Sequence, residues 1–577
     1  IKTNGMLKPA DGVSKTVSFD KPGDKVLFFR LKADKKTGEE HISIKSSGGG
    51  ESFSENIDIG IRNPNPPHII SKSALVDSKG KVLLSLHSDN TGPNDWAKLE
   101  ISRLPGINFN KNLQYLLNYP HACTEQITSQ GFPLLFISDF TRQTDEEKKR
   151  NSEKVDEIIR ILSSRQLPDG GFMYWSGDHY ASEWVSTYAG HFLTEARQKG
   201  FEVSEVVLSK WVQFQQKIAR NWTPTNPYRN YYSLSMPQLQ QAYRLYSLVR
   251  AENTESGAMN RLRELKDLSI QARWQLAAAY ALTGKKDVAN ELIFNQSTQV
   301  ENYTFNNDTY GTPARDQAIM METYLLLGQT EKAMALASDV SKALSGDYIS
   351  TQTAAFGLVA MQKLAEKMGK GNINVSWTMN GNKMNQINTP QVFHQVNLKP
   401  SENLTVEIVN QGQAKVFVRM TALTQPLDAS NFPSDEQTGE SSLRLTASYK
   451  DVNGNPMDIK SLKQGQEFTA EVSVQNNNEQ DFTDLALVQI FPSGWEIFNE
   501  RMMHVNSSAG EASFSYRDIR DDRILTYFNL GAGQSKSFSV RLQAAYRGTF
   551  FHPSISCQAM YAPGEQARTP AAWVKVE

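Results

Sequence analysis

Two cysteines in 577 residues are too few for a scaffold built on disulfides. They stand far apart, at Cys123 and Cys557, which leaves one long-range disulfide or two separate thiols open. Nine histidines without close pairing give no zinc spacing, neither H-E-x-x-H nor repeated C-x-x-C. Asp451-Val452-Asn453-Gly454-Asn455 has the outline of a calcium loop, but Pro456 follows it and the distal glutamate is missing, so a plain hairpin turn is expected. No metal and no cofactor are expected. An excess of one charge is also lacking. The 61 Lys and Arg against 62 Asp and Glu leave a net charge of -1, with no long basic run, which argues against nucleic acid as a partner. No apolar run approaches the roughly 18 to 20 residues that cross a bilayer. The chain opens at Ile1 without a methionine or a signal-like segment, as a processed protein or an excised piece would.

What is present is ordinary globular material, 39% hydrophobic and 21% charged, enough for about three to five domains. Residues 1–105 read as strands: 14–19 alternates, 25–32 is an apolar run, and 40–46, 57–61 and 82–85 are short and β-rich. Gly48-Gly49-Gly50 reads as a loop, and the proline-rich stretch 61–67 as a boundary. From about 106 to 370 the apolar spacing is helical, through 127–140, 155–166, 184–197, 206–219, 239–251, 269–282, 316–327, 332–344 and 351–364. Such spacing does not distinguish a superhelical array from a closed ring of hairpins. Tyr280-Ala281-Leu282-Thr283-Gly284 is the kind of helix end that tetratricopeptide repeats carry, but there is no 34-residue period. Strands return after 370, at 374–379, 393–396, 404–410 and 415–423. Following a loop at 424–440 they continue at 443–449, 468–474, 485–491, 524–528, 538–544 and 554–561.

The chemistry gathers at Asn118-Tyr119-Pro120-His121-Ala122-Cys123-Thr124-Glu125-Gln126. A cysteine and a glutamine three apart at the start of a helix share one face, so a thiol can attack the side-chain carbonyl, expel ammonia and leave an internal thioester. Tyr-Pro-x-x-Cys-x-Glu-Gln resembles the thioester motif of the alpha-2-macroglobulin and complement C3 family, particularly its bacterial members. Asp169-Gly170-Gly171-Phe172-Met173-Tyr174-Trp175, Trp184-Val185-Ser186-Thr187-Tyr188, Arg315-Asp316 and Ser350-Thr351-Gln352 resemble later landmarks of its thioester domain. Phe491-Pro492-Ser493-Gly494-Trp495-Glu496 and Asp521-Asp522-Arg523 resemble the C-terminal sandwich of bacterial members.

The resemblance implies a multidomain α+β architecture: an α/α toroid, the helical thioester domain, inserted in a CUB-like β domain and flanked by macroglobulin-like β-sandwiches. The corresponding boundaries are 1–60 for a first sandwich, 61–105 and 371–425 for the two CUB-like parts, 106–370 for the helical domain and 426–577 for the last sandwich. It implies Cys123 and Gln126 as the thioester pair, Tyr119 and Met560 as its shield, and Pro120 and Glu125 as motif support. On a strand, Cys557 would point away from Met560, into the sandwich, as an inert thiol.

The implied function is a trap for proteases, captured covalently through their lysines, and not a turnover enzyme. The implied place is the periplasm, with an inner-membrane lipid anchor outside this piece. No bait region is expected in residues 1–60. Two departures from the family pattern stand out: His121-Ala122 replaces an aromatic-glycine pair, and no histidine lies between His191 and His394 to form an acyl-imidazole, which points to direct attack by amines. His121 reads as a solvated or capping residue. Two alternatives remain: a scaffold of the same fold whose Cys123 never cyclises, and a cysteine hydrolase, for which no histidine and Asn/Asp partners are placed.

Overall fold

The computed structural model describes the chain apart from residues 34–36, 63–67, 88–94, 106–108, 120, 141–142, 226–227, 230–233, 304–306, 346–348, 369–371, 383, 425–441, 499–512 and 562–564. The first strands form two antiparallel pairs, Leu7–Pro9 on Leu31–Ala33 and Gly38–Gly48 on Glu51–Ile61. The triple glycine is thus the turn of a long hairpin. Residues 14–19 form no strand, and the run 25–32 pairs only at its end, contrary to their patterns. Phe19, Val26, Leu27 and Phe28 are exposed. Without a neighbouring strand and a covering layer, an alternating sequence has neither ladder nor buried face to hold it.

Strands from both sides of the helical segment next share one core. His68–Val76, Lys81–His87 and Trp96–Ser102 precede the helices, while Ile373–Met379, Asn385–Thr389, Phe393–Leu398, Asn403–Asn410 and Val416–Thr424 follow them. They interleave into two four-stranded antiparallel sheets. Trp96–Ser102 lies between Phe393–Leu398 and Val416–Thr424, and Asn403–Asn410 lies between Lys81–His87 and Ile373–Met379. Alternation turns Leu84, Leu99, Ile101, Val375, Val406, Ile408 and Met420 into a common interior that neither flank could fill alone.

Among the described residues the middle segment carries twelve helices: α1 (Phe109–Leu117), α2 (Thr124–Phe140), α3 (Asp145–Ser164), α4 (Glu183–Gln198), α5 (Glu205–Asn221), α6 (Pro237–Arg250), α7 (Ser256–Arg263), α8 (Ile270–Leu282), α9 (Lys286–Ile293), α10 (Pro313–Leu326), α11 (Thr330–Leu344) and α12 (Thr351–Met368). Each even-numbered helix from α2 to α10 packs on the next, and α12 returns onto α2, so the contacts close into a ring. Odd-numbered helices α3, α5, α7, α9 and α11 lie against these. Burial follows position: α4 is buried continuously from Trp184 to Ala196, whereas α3 buries only the stripe Val155, Ile158, Ile159 and Leu162. The helix end at Tyr280 is a Schellman cap: Gly284, at φ 79°, lets the Lys285 N–H reach the Tyr280 carbonyl.

The last unit is a sandwich. Leu443–Asp451, Glu467–Asn476, Ser535–Ala544 and Trp495–Ile497 make one sheet. Tyr516–Ile519, Arg523–Leu530, Phe482–Ile490, Ser556–Ala559 and Gln566–Arg568 make the other. Val472, Leu485, Leu487, Phe528 and Phe538 fill the space between, together with Cys557, a free and fully buried thiol. In the turn after Leu443–Asp451, the Asp451 carboxylate accepts the N–H groups of Asn453 and Asn455, the plain hairpin its sequence suggests. Because side chains alternate, Ala486, Leu525 and Tyr527 point out of the second sheet. There they meet Cys123 and Trp175 of the helical ring in a separate buried cluster.

Candidate functional site

The Ile127 N–H bonds to the Cys123 carbonyl, so Cys123 occupies the position just before α2 and Gln126 its third residue. The Gln126 side-chain oxygen in turn accepts the Cys123 N–H at 3.4 Å. This is the glutamine half of a capping box, with cysteine where serine or threonine ordinarily stands. It holds thiol and carboxamide on one face of the first turn. The 169–175 loop clamps that turn from outside, with the Tyr174 carbonyl accepting the Thr124 N–H at 2.9 Å and the Met173 carbonyl the Thr124 hydroxyl at 2.7 Å. Gly170 lets the loop lie down. Its φ is 94°, and a Cβ there would stand 2.2 Å from the Lys210 carbonyl oxygen.

Cys123, Glu125 and Gln126 are completely buried, and the cover comes from the far end of the chain. Gln126 Nε2 donates to Met560 Sδ at 3.2 Å, the Tyr561 hydroxyl lies 3.5 Å from Cys123 Sγ, and the Tyr119 hydroxyl donates to the Met560 carbonyl at 3.4 Å. Met560 belongs to the cluster of Cys123, Trp175, Tyr527 and Tyr561, not to the sandwich interior. Tyr310 stacks on Tyr174 and packs on Tyr561, and behind it opens a cavity of about 670 Å³ also lined by Trp184 and Trp222. Burial, reinforced by Glu125, pushes the Cys123 thiol up to about 12. A helix N-terminus favours a thiolate, but desolvation wins here and the thiol is held neutral.

Glu125 is a buried carboxylate with four donors: Ser129 at 2.7 Å, Thr351 at 2.8 Å, Gln352 at 2.9 Å and Tyr561 at 2.8 Å. Burial raises its pKa, and these bonds work against that rise. The sequence landmarks far from the cysteine converge on this carboxylate. Thr351 and Gln352 touch it directly; Arg315, fully buried, reaches Gln352 at 3.5 Å and pairs with Asp316 at 2.7 Å. The Tyr188 hydroxyl stands 3.0 Å from Ser129.

His121 is not the solvated or capping histidine that its neighbourhood suggests. It is buried, 3.0 Å from the Tyr527 hydroxyl and 3.2 Å from Gln558 Nε2, and desolvation lowers its pKa to about 3, so it is neutral. The sandwich covers it, which local sequence does not reveal. Ala122 is exposed without a positive φ, so the missing glycine brings no strain there. Pro120 lies outside the described residues. Tyr174 stands inside the Asp169–Trp175 string and Tyr561 directly follows Met560, so the sequence carries a signal for both. For Tyr310, Tyr527 and Asp484, which accepts from the Tyr174 hydroxyl at 3.3 Å, no local signal exists.

Residues 443–564 match the family model of the bacterial alpha-2-macroglobulin MG10 domain. The alpha-2-macroglobulin of Xylella fastidiosa is 24% identical over 96% of this chain and 35% of its own length. The chain thus spans about a third of that curated relative. Native alpha-2-macroglobulin from Escherichia coli, in a crystal structure running from domain MG7 to the C-terminus, superposes with a TM-score of 0.82 at 19% identity, covering all of this chain and 93% of that one. Salmonella alpha-2-macroglobulin reacted with methylamine gives 0.81 at 22% identity, over all of this chain and 38% of its own. The chain is similar, along its whole length, to the C-terminal part of bacterial alpha-2-macroglobulins.

Proposed function

We propose that this chain is the thioester-bearing part of a covalent protease trap. Cys123 supplies the sulfur and Gln126 the acyl carbon; an exposed lysine of a protease attacks the acyl carbon, forms an amide and releases the thiol. The observation that carries the reading is the Cys123–Gln126 pair, joined by the Cys123 N–H on the Gln126 side-chain oxygen and stored dry beneath Met560 and Tyr561. In this reading the ring of helices is the family's α/α toroid, at about 106–370, and the sheets shared between 61–105 and 371–425 are its CUB-type domain. Residues 1–60 and 426–577 are macroglobulin-like sandwich material. The target is a protease and the place the periplasm. No turnover is involved, because each acylation consumes the bond.

The test is incubation with methylamine followed by intact mass and mapping of the Cys123 peptide. Cyclisation loses ammonia, about 17 Da, and methylamine then adds at Gln126. Cys123→Ala abolishes both. A freely titrating Cys123 in fresh protein with no adduct favours a scaffold that never cyclises. Nucleophile choice is a second expectation. His121 is neutral, buried and committed to Tyr527 and Gln558, so no described imidazole is placed to relay the acyl group. Primary amines should therefore react faster than glycerol-like hydroxyls at equal concentration, and equal ester and amide yields contradict this.

A further inference from the structure

A chain of hydroxyls crosses the interface between the helical ring and the last sandwich. It starts at Cys123 Sγ, 3.5 Å from the Tyr561 hydroxyl, and the same hydroxyl donates to Glu125 Oε2 at 2.8 Å. A branch runs from Tyr561 to the Tyr174 hydroxyl at 3.1 Å and on to Asp484 at 3.3 Å. A cover needs only bulk. This one instead places a hydroxyl between the sulfur and a carboxylate held by four donors. We propose that Tyr561 and Glu125 form an acid-base relay that makes the thioester. This rests on the reading of Cys123 and Gln126 as a thioester pair.

The atoms balance without a further reactant. As sulfur attacks the Gln126 carbonyl carbon, its proton passes to the Tyr561 oxygen while the tyrosine proton moves to Glu125. The S–C bond forms and the developing oxyanion stays on the Cys123 N–H. When the C–N bond breaks, the proton returns by the same hydroxyl to the departing nitrogen, which leaves as ammonia. The carboxylate ends as it began. A relay is needed because burial keeps Cys123 a thiol, so the nucleophilic thiolate must be generated in place. Glu125 acts through Tyr561 and is a positioning residue with a base's role.

Intact mass separates three states. Cyclised protein lies about 17 Da below the encoded mass, never-cyclised protein at that mass, and hydrolysed protein about 1 Da above it. Tyr561→Phe removes one oxygen, and Glu125→Gln keeps shape and an acceptor but no base. Both are expected to accumulate at the encoded mass, with cyclisation slowed at least about 100-fold. The second readout is pH, in full-length protein made by cell-free synthesis between about pH 6.5 and 8.5. The parent rate should be nearly flat, because Glu125 captures the proton. In Glu125→Gln it should climb about tenfold per unit, following thiol ionisation alone.

The groups facing Glu125 are Ser129 on its own helix, Tyr188 on α4, Thr351 and Gln352 on α12, Tyr561 on the sandwich, and Tyr115 on α1 through its field, with Arg315 behind Gln352. Of the carboxyls in this network, Glu125 and Asp484, at the end of the Tyr174 branch, are both shifted upward by burial, Asp484 to about 6, just below that window. A flat profile in Glu125→Gln, or variants that cyclise as fast as the parent, overturns the relay and leaves the thioester standing. Parent protein found wholly at the encoded mass overturns the thioester and the relay together.

Discussion

Met560→Ala should shorten the life of the proposed thioester by about 10- to 100-fold, because it removes the thioether that packs on Gln126 and opens a void between two units. Tyr119→Gly should act in the same direction, since the Tyr119 hydroxyl holds the Met560 carbonyl. The mass distinguishes this defect from a failure of synthesis. A leaking cover yields hydrolysed protein, about 1 Da above the encoded mass, with a free thiol at Cys123. The melting of the helical ring should barely move, because Met560 contributes nothing to its interior. Both variants holding the bond as long as the parent does would reduce Met560 to packing.

Much of this was legible in the sequence. That Cys123 and Gln126 share one face of the first turn of α2 was legible in their spacing, since residues three apart at a helix start lie side by side. The inner helices announced themselves by length. α1, α7 and α9, nine, eight and eight residues long, are too short to develop a period. Residues 14–19 misled because alternation records a preference for a pleated surface, not the presence of a partner strand. The wall of the site was least legible. Tyr527 lies on a strand whose outward face would ordinarily be wet, and only docking against Trp175, at 4.2 Å between ring centroids, makes it interior. Glu125 read as motif support, and its four donors arrive from three separate stretches of chain.

Arg315→Ala should be the most destabilising single change in the helical ring, at about 3 to 5 kcal/mol, because it strands the buried Asp316 without a counter-charge. Its guanidinium also donates to the Thr309 carbonyl and hydroxyl and lies 4.8 Å over the Trp184 ring, so both stacking and hydrogen bonds go with it. In a domain of this size the melting temperature should fall by about 10 °C. Arg315→Lys keeps the charge without the planar fork and should fall between. The double change Arg315→Met with Asp316→Leu should recover at least half the loss, since no charge is then left unpaired. A calorimetric midpoint for Arg315→Ala within about 1 °C of the parent would mean that Tyr303, which donates to Asp316 at 2.9 Å, suffices alone.

Tyr561 stands 438 residues after Cys123. On a translating ribosome, at about 5 to 20 residues per second, that is a delay of tens of seconds. Until Tyr561 arrives, the cysteine and glutamine of the helical segment remain an ordinary thiol and an ordinary amide, harmless to lysines nearby. If Tyr561 completes the proposed base, the electrophile is created and enclosed in one event, when the sandwich docks on the helical ring. Each cyclised molecule would then carry a chemical record that the sandwich bearing Tyr561 arrived and seated.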